Sequence, residues 1–236
     1  LARERKGWSR ETLAHHSGLS WAAIAQIESG RRQDVRLASV EALAGALGVT
    51  IDFLVGNSTT LPCTLFEHRV LIYDSDDAYL ASAVPFLAEG VAGADCVLVV
   101  TDERQTRLLR DALGQDAASV EFRDSGEWYR TPIDALQLYR AFVNERFERD
   151  AAWVRIIGEP VWDRRSAAEV RAWMRYESML NLSLATLPST LVCPYDERSL
   201  PKKTIAGARQ THPEISESGD VVTSGTYRDP EDFLLI

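Results

Sequence analysis

Residues 9–30, SRETLAHHSGLSWAAIAQIESG, constrain the fold of this chain more than any other stretch. Ser9 has the side chain of a helix N-cap, and Glu11 sits where a negative charge favours the first turn of a helix. Leu13 and Ala14 are placed to face inward, and Gly18 stands where a tight turn needs left-handed backbone. After apolar Leu19, Ser20 is placed to cap a second helix, on which Ile24 and Ile27 share a buried face. Small Ala14 lets the two helices approach closely. Trp21, Ala22, Ala23 and Gln26 are left on the outer side near the start of the second helix. Two short helices crossing at a glycine turn, with one face free, fit a helix-turn-helix better than a hairpin that merely packs.

The following residues continue the pattern. Glu28-Ser29-Gly30-Arg31-Arg32 ends the second helix with a glycine and two cations. Leu37, Val40, Leu43, Ala44 and Leu47 follow at helical spacing up to Gly48, and Thr50 is expected to cap a last turn holding Phe53 and Leu54. Through S-x-x-x-L-A at 9–14, G-L-S at 18–20, I-x-x-I-E-x-G at 24–30 and L-A-x-x-L-G-V at 43–49, residues 1–56 resemble the Cro/C1-type helix-turn-helix domain of the XRE regulator family. The resemblance implies that Ser20, Trp21, Ala22, Ala23 and Gln26 lie toward base edges of double-stranded DNA, and Arg10, Arg31 and Arg32 near phosphates. Arg10 stands where this family often carries Gln, which favours a phosphate contact over an amide-to-adenine pair. LARERK holds only part of that family's first helix and no start Met, so the chain is expected to begin inside a longer natural protein.

A net charge of −9 is unusual for a DNA binder until it is divided. Residues 1–56 hold seven Lys/Arg against six Asp/Glu, so the acidity lies in the remainder. Electrostatic affinity for DNA grows with the number of phosphates neutralised, and one nearly neutral module offers few. A homodimer reading two half-sites doubles that number, and is the expected assembly. At 236 residues two domains are expected. The three cysteines are widely spaced and make no disulfide framework. No apolar run approaches the roughly 20 residues a membrane span needs, and no signal peptide is visible, so no membrane partner and a cytoplasmic location are expected.

Residues 57–65 read as a polar linker around Pro62. Residues 66–236 then alternate short apolar runs with amphipathic stretches. The runs HRVLIY (68–73), CVLVV (96–100), SVEF (119–122), WVRII (153–157) and TLVC (190–193) flank helical candidates near 77–91, 103–113, 132–149, 166–182 and 200–209. Buried β-branched strands separated by helices predict an α/β domain with a mainly parallel sheet; VVTSGTYRDP (221–230) is a candidate edge strand. Ligands in such sheets bind beyond the carboxyl ends of the strands. The residues there are acidic: Asp74 to Asp77, Asp102-Glu103, Asp124, Glu159 and Asp196-Glu197. Neither G-x-x-x-x-G-K-[ST] nor G-x-G-x-x-G occurs, so nucleotide hydrolysis is not expected. Helix capping accounts for most of these aspartates, but not for Glu159, which Pro160 follows.

Aromatic side chains gather at the same places, and Trp173, Glu177 and Asn181 share one helix face, as either a satisfied buried network or a ligand clamp. Residues of about 66–233 resemble the MEDS sensory domain. The match rests on His68 with Tyr73, Pro85-Phe86-Leu87, Trp128-Tyr129, Arg155-x-x-Gly158-Glu159 with Trp162, Tyr176-Glu177 with Asn181, Cys193-Pro194-Tyr195-Asp196 and Thr211-His212-Pro213. The resemblance implies a RecA/KaiC-like core without a phosphate loop, acting as a sensor of small organic signals. The candidate ligand-binding residues are accordingly His68, Tyr73, Trp128, Tyr129, Glu159, Trp162, Tyr176, Glu177, Asn181, Cys193, Tyr195, Asp196 and His212.

Three other constellations are weaker. Cys193-Pro194 is similar to a haem-regulatory dipeptide but reads as a buried thiol ending a strand. Cys63, His68, Cys193 and His212 lack zinc-site spacing, so no metal or cofactor is expected. Cys193, His212 and Asp196 have the residue types of a nucleophilic triad and nothing more. The chain is therefore expected to be a dimeric regulator sensing a small organic ligand, not an enzyme. The second reading is a DNA-binding regulator whose α/β domain serves only dimerisation or protein contacts.

Overall fold

The computed structural model describes residues 3, 8–32, 34–47, 49, 51–55, 65–162, 165–217 and 220–234. They fall into two compact units, Leu1–Leu65 and Phe66–Ile236. Gly48, Thr50, the Phe53 side chain, Cys63 and the 57–64 part of the linker lie outside the described residues.

In the first unit, α1 (Arg10–Ser17) and α2 (Trp21–Glu28) form as their caps dictate. Ser9 accepts from the Thr12 amide and Ser20 from the Ala23 amide. Between them Gly18 adopts φ 67°, a left-handed conformation that glycine enters without a Cβ penalty. Helices α3 (Leu37–Leu47) and α4 (Ile51–Leu54) follow. Leu13, Ile24, Leu43, Leu47 and Val49 form the core, with Ala14 and Ile27 packed beside it.

The second unit is a seven-stranded sheet of order β3-β2-β4-β5-β1-β6-β7. The strands are β1 (Phe66–Tyr73), β2 (Cys96–Thr101), β3 (Val120–Asp124), β4 (Val154–Gly158), β5 (Ser189–Asp196), β6 (Glu214–Glu217) and β7 (Asp220–Thr223). All pair in parallel except β6 with β7. The helices are α5 (Asp76–Ala92), α6 (Glu103–Leu113), α7 (Ser125–Trp128), α8 (Pro132–Phe147), α9 (Ala167–Ser183), α10 (Lys202–Thr211) and α11 (Pro230–Leu234). Alternate strand residues feed opposite cores, as the two-residue period requires. Leu71, Val97, Val99, Ile157 and Val192 pack with α5 and α6, and Val70, Leu98, Ile156, Leu191 and Cys193 with α8, α9 and α10.

Two elements differ from the sequence reading. The edge strand expected across 221–230 stops at Thr223, and the chain then turns into α11, which Pro230 begins. Strand β6 has Ile215 as its one buried hydrophobic residue, too little for a periodic signal, and is recruited by pairing with β1.

Candidate functional site

On the first unit, α2 presents Ser20, Trp21, Ala22 and Gln26 as exposed side chains, with Ala23 half-buried. Trp21 is 48% exposed, a large aromatic surface to leave in water. Arg31, just beyond α2, is exposed. The two other arginines expected near phosphates have contacts of their own. Arg10 pairs with Glu28 at 2.6 Å, and the Arg32 Nε donates to the Asp34 carbonyl at 3.3 Å.

At the carboxyl edge of the sheet most acidic residues are explained by helix starts. Ser75 caps α5, Asp102 caps α6 and Asp124 caps α7 through backbone amides. Asp76 pairs with Arg104 and with Arg198, and Arg198 also holds Asp196 at 2.7 Å, keeping both carboxyls below the usual range. Glu159 is the exception. It accepts from the Tyr73 hydroxyl at 3.0 Å, and its other oxygen is buried with no hydrogen-bond partner. Burial, opposed by the Tyr73 hydrogen bond, pushes this carboxyl up to about 8. Glu159, Tyr73, Trp162, Asp196, Arg104 and Arg198 are among the residues lining a cleft of about 710 Å³. The Trp162 indole nitrogen is also buried without a partner.

Beneath β1 and β5 lies a second constellation, fully buried. His68 on β1, Glu177 on α9, Cys193 on β5 and His212 at the end of α10 bring four donor atoms within 4.8 Å of one another. His68 Nδ1 lies 3.1 Å from Asn181 Oδ1, and His212 Nδ1 lies 2.8 Å from the Ala208 carbonyl. Each carbonyl accepts the Nδ1 proton, which leaves Nε2 as a lone pair directed at the cluster. Burial, partly offset for His68 by Asn181, lowers both imidazoles to about 3, so the rings are neutral. Burial raises Glu177 and Cys193. Tyr176 and Tyr195 are buried nearby, the Tyr176 hydroxyl without a partner and the Tyr195 hydroxyl facing Glu177.

Comparison with known families bears on both units. Residues 1–54 match a helix-turn-helix family model, and residues 67–213 match the model described as MEthanogen/methylotroph, DcmR Sensory domain (MEDS). The chain belongs to the MEDS family. No curated protein matches it. A helix-turn-helix DNA-binding domain thus precedes a MEDS sensory domain. Among the described residues, no helix is long and apolar enough to cross a membrane.

The MEDS domain divides the sequence-predicted ligand residues between two places. Tyr73, Glu159, Trp162 and Asp196 line the cleft, whereas His68, Tyr176, Glu177, Asn181, Cys193, Tyr195 and His212 surround the buried cluster. Trp128 and Tyr129 belong to the hydrophobic core, with Tyr129 edge-on to Trp173 and Tyr176. Tyr195 links the two regions, with its ring 5.3 Å from Trp162 and 6.0 Å from His212. Cys193 lies within β5, not at its end. Residue spacing does not reveal Arg104 and Arg198 as cleft residues, because what each guanidinium reaches is set by the fold and not by its neighbours in sequence. Among the described residues Glu177 stands with His68, Cys193 and His212, while Cys63 lies outside them; the Glu177 carboxylate on the Trp173–Asn181 face is the available sequence signal.

Proposed function

We propose that the chain is a one-component transcriptional regulator that binds operator DNA as a homodimer, and whose MEDS domain senses a small organic molecule in the cleft at the carboxyl edge of the sheet. The observation carrying the sensing role is the pair of unmatched buried polar atoms there, Glu159 Oε2 and Trp162 Nε1. Such atoms are costly to leave unpaired, by about 1–3 kcal/mol each, and a ligand offering a hydrogen-bond acceptor relieves that cost. Near neutral pH the protonated Glu159 is itself a donor, so the fitting signal is an uncharged oxygen compound with an apolar body against Trp162. A preference of that ligand for one of two dimer arrangements changes DNA affinity by at most that free energy.

Catalysis is not part of this reading. The turn from β1 into α5 is Asp74-Ser75-Asp76-Asp77, in which Ser75 caps the helix; it carries neither the glycines nor the lysine that a nucleotide-hydrolysing loop needs there. For DNA, the exposed Trp21, Gln26 and Arg31 supply the docking face.

The test has two arms. Thermal shift of the full chain with short-chain alcohols, ketones and aldehydes is expected to find stabilising compounds, whose effect Glu159→Ala abolishes. Fluorescence anisotropy on operator fragments selected from random DNA is expected to give dimer-dependent binding that Gln26→Ala weakens. Stabilisation by none of these compounds, together with full DNA binding, favours the domain as a dimerisation module; a monomer with full affinity overturns the dimer.

A further inference from the structure

The His68–Glu177–Cys193–His212 cluster has the donors, spacing and charge of a transition-metal site, and we infer that the MEDS domain binds one divalent metal ion of the zinc class there. The cluster is separate from the cleft and its sensing role.

Geometry is the first support. Glu177 Oε2 lies 3.5 Å from His68 Nε2, 3.5 Å from His212 Nε2 and 3.6 Å from Cys193 Sγ. His68 Nε2 is in turn 3.5 Å from Cys193 Sγ. Donors bonded to one tetrahedral ion at about 2.0–2.3 Å stand roughly 3.3–3.7 Å apart along the tetrahedron's edges. Four of the cluster's six edges therefore have the required length, and the other two stay within 4.8 Å.

The donors are also prepared. Both histidines face the cluster with Nε2 and use Nδ1 on a carbonyl oxygen, from Asn181 in one case and Ala208 in the other. That outer hydrogen bond fixes tautomer and ring orientation in metal-bound histidines. His212 Nε2 and Glu177 Oε1, on side chains with no exposure, are left without hydrogen-bond partners. Without metal, a protonated Glu177 Oε2 reaches His212 Nε2 only at 3.5 Å, long for a hydrogen bond between oxygen and nitrogen; a cation between them takes both atoms as ligands.

Charge and donor type select the ion. A Cys193 thiolate and a Glu177 carboxylate carry two negative charges, which cancel those of a divalent cation and leave a neutral unit in an apolar interior. On binding, the thiol and the carboxyl each release one proton to solvent, and one metal–sulfur, one metal–oxygen and two metal–nitrogen bonds form. A sulfur and two imidazoles disfavour Mg²⁺ and Ca²⁺, which take oxygen donors, and suit Zn²⁺ or Co²⁺. The ion joins β1, β5, α9 and α10, so its removal loosens the sheet on its α9 side.

The full chain, unfolded and refolded with excess Co²⁺ and then desalted, is expected to hold one Co²⁺ per chain, with the intense visible bands of a tetrahedral site and a thiolate-to-cobalt charge-transfer band. Zn²⁺ is expected to displace it. Cys193→Ser is expected to lose the charge-transfer band, while Cys96→Ser, altered at a cysteine outside the cluster, keeps it. Asn181→Ala, which removes only the support of His68, is expected to weaken Zn²⁺ binding about 10–100-fold. Refolded wild type that takes up no Co²⁺ overturns the inference without any variant, as does uptake with no thiolate band or uptake abolished by Cys96→Ser.

Discussion

The Tyr73 hydroxyl donates to Glu159 at 3.0 Å, tying together the carboxyl ends of β1 and β4 across the intervening β5. Burial of Glu159, which outweighs this hydrogen bond, makes the stability of the MEDS domain depend on pH. The Glu159 carboxyl ionises near pH 8 in the folded chain and at the ordinary value of 4.5 when unfolded. Between these values the folded state holds a proton that the unfolded state has lost, so stability falls as pH rises and is level above about 8. The slope from this group is at most about 1.4 kcal/mol per pH unit. Urea denaturation of wild type and Glu159→Gln across this range checks it: the variant is expected to show a flatter profile. Identical slopes in the two proteins refute the assignment.

Gly158 admits the tyrosine pair behind β4. A Cβ there would lie 2.2 Å from the Tyr139 hydroxyl and 2.5 Å from the Tyr129 hydroxyl, two groups already in contact with each other. Gly158→Ala is expected to destabilise the domain by about 1–3 kcal/mol, the usual effect of overfilling a packed core. Adding Tyr139→Phe, which deletes the nearer oxygen, is expected to return part of that loss. Chemical denaturation of the single and double variants measures both.

How much of this was legible in the sequence depends on how far apart the interacting residues lie. Ser9, Gly18 and Ser20 act on backbone within a few residues, so the crossed helices could be read directly. The five long strands were visible because each is an apolar run, and Glu159 stood out from the capping aspartates because Pro160 follows it. The buried cluster could not be assembled that way. His68 lies 113 residues from Asn181 and 125 from Cys193; the parallel placement of β1 beside β5 brings it to Cys193, and the packing of α9 on that side of the sheet brings it to Asn181. Residue types named most of its members, but the fourth donor had to come from topology.

Arg31 and Arg10 are expected to differ in DNA binding, although both were placed near phosphates by resemblance. Arg31 is exposed, whereas Glu28 already holds the Arg10 guanidinium at 2.6 Å. A lost phosphate contact lowers the slope of log affinity against log salt by about 0.9, and a two-fold dimer loses two. Arg31→Ala is expected to reduce that slope by about 2 per dimer, and Arg10→Ala to leave it nearly unchanged while lowering the domain's melting temperature. Binding isotherms across a salt series separate these outcomes; equal slope changes would place Arg10 on the DNA as well.

Trp162 offers a way to separate ligand recognition from packing in the cleft. Its indole nitrogen is buried without a partner, while its ring lies tilted against Tyr195 with centroids 5.3 Å apart. Trp162→Phe keeps an aromatic ring against Tyr195 and removes the N–H. In the free protein, the lost packing and the removed unpaired donor act in opposite directions, so the change in stability is expected to be small. In the complex a hydrogen bond is lost outright, worth about 0.5–1.5 kcal/mol, or about 2–12-fold in affinity. A compound found by thermal shift is therefore expected to bind Trp162→Phe more weakly in calorimetry while the free variant melts close to wild type. Undiminished affinity would mean that the compound's oxygen does not reach this nitrogen, and that Trp162 contributes only its ring face.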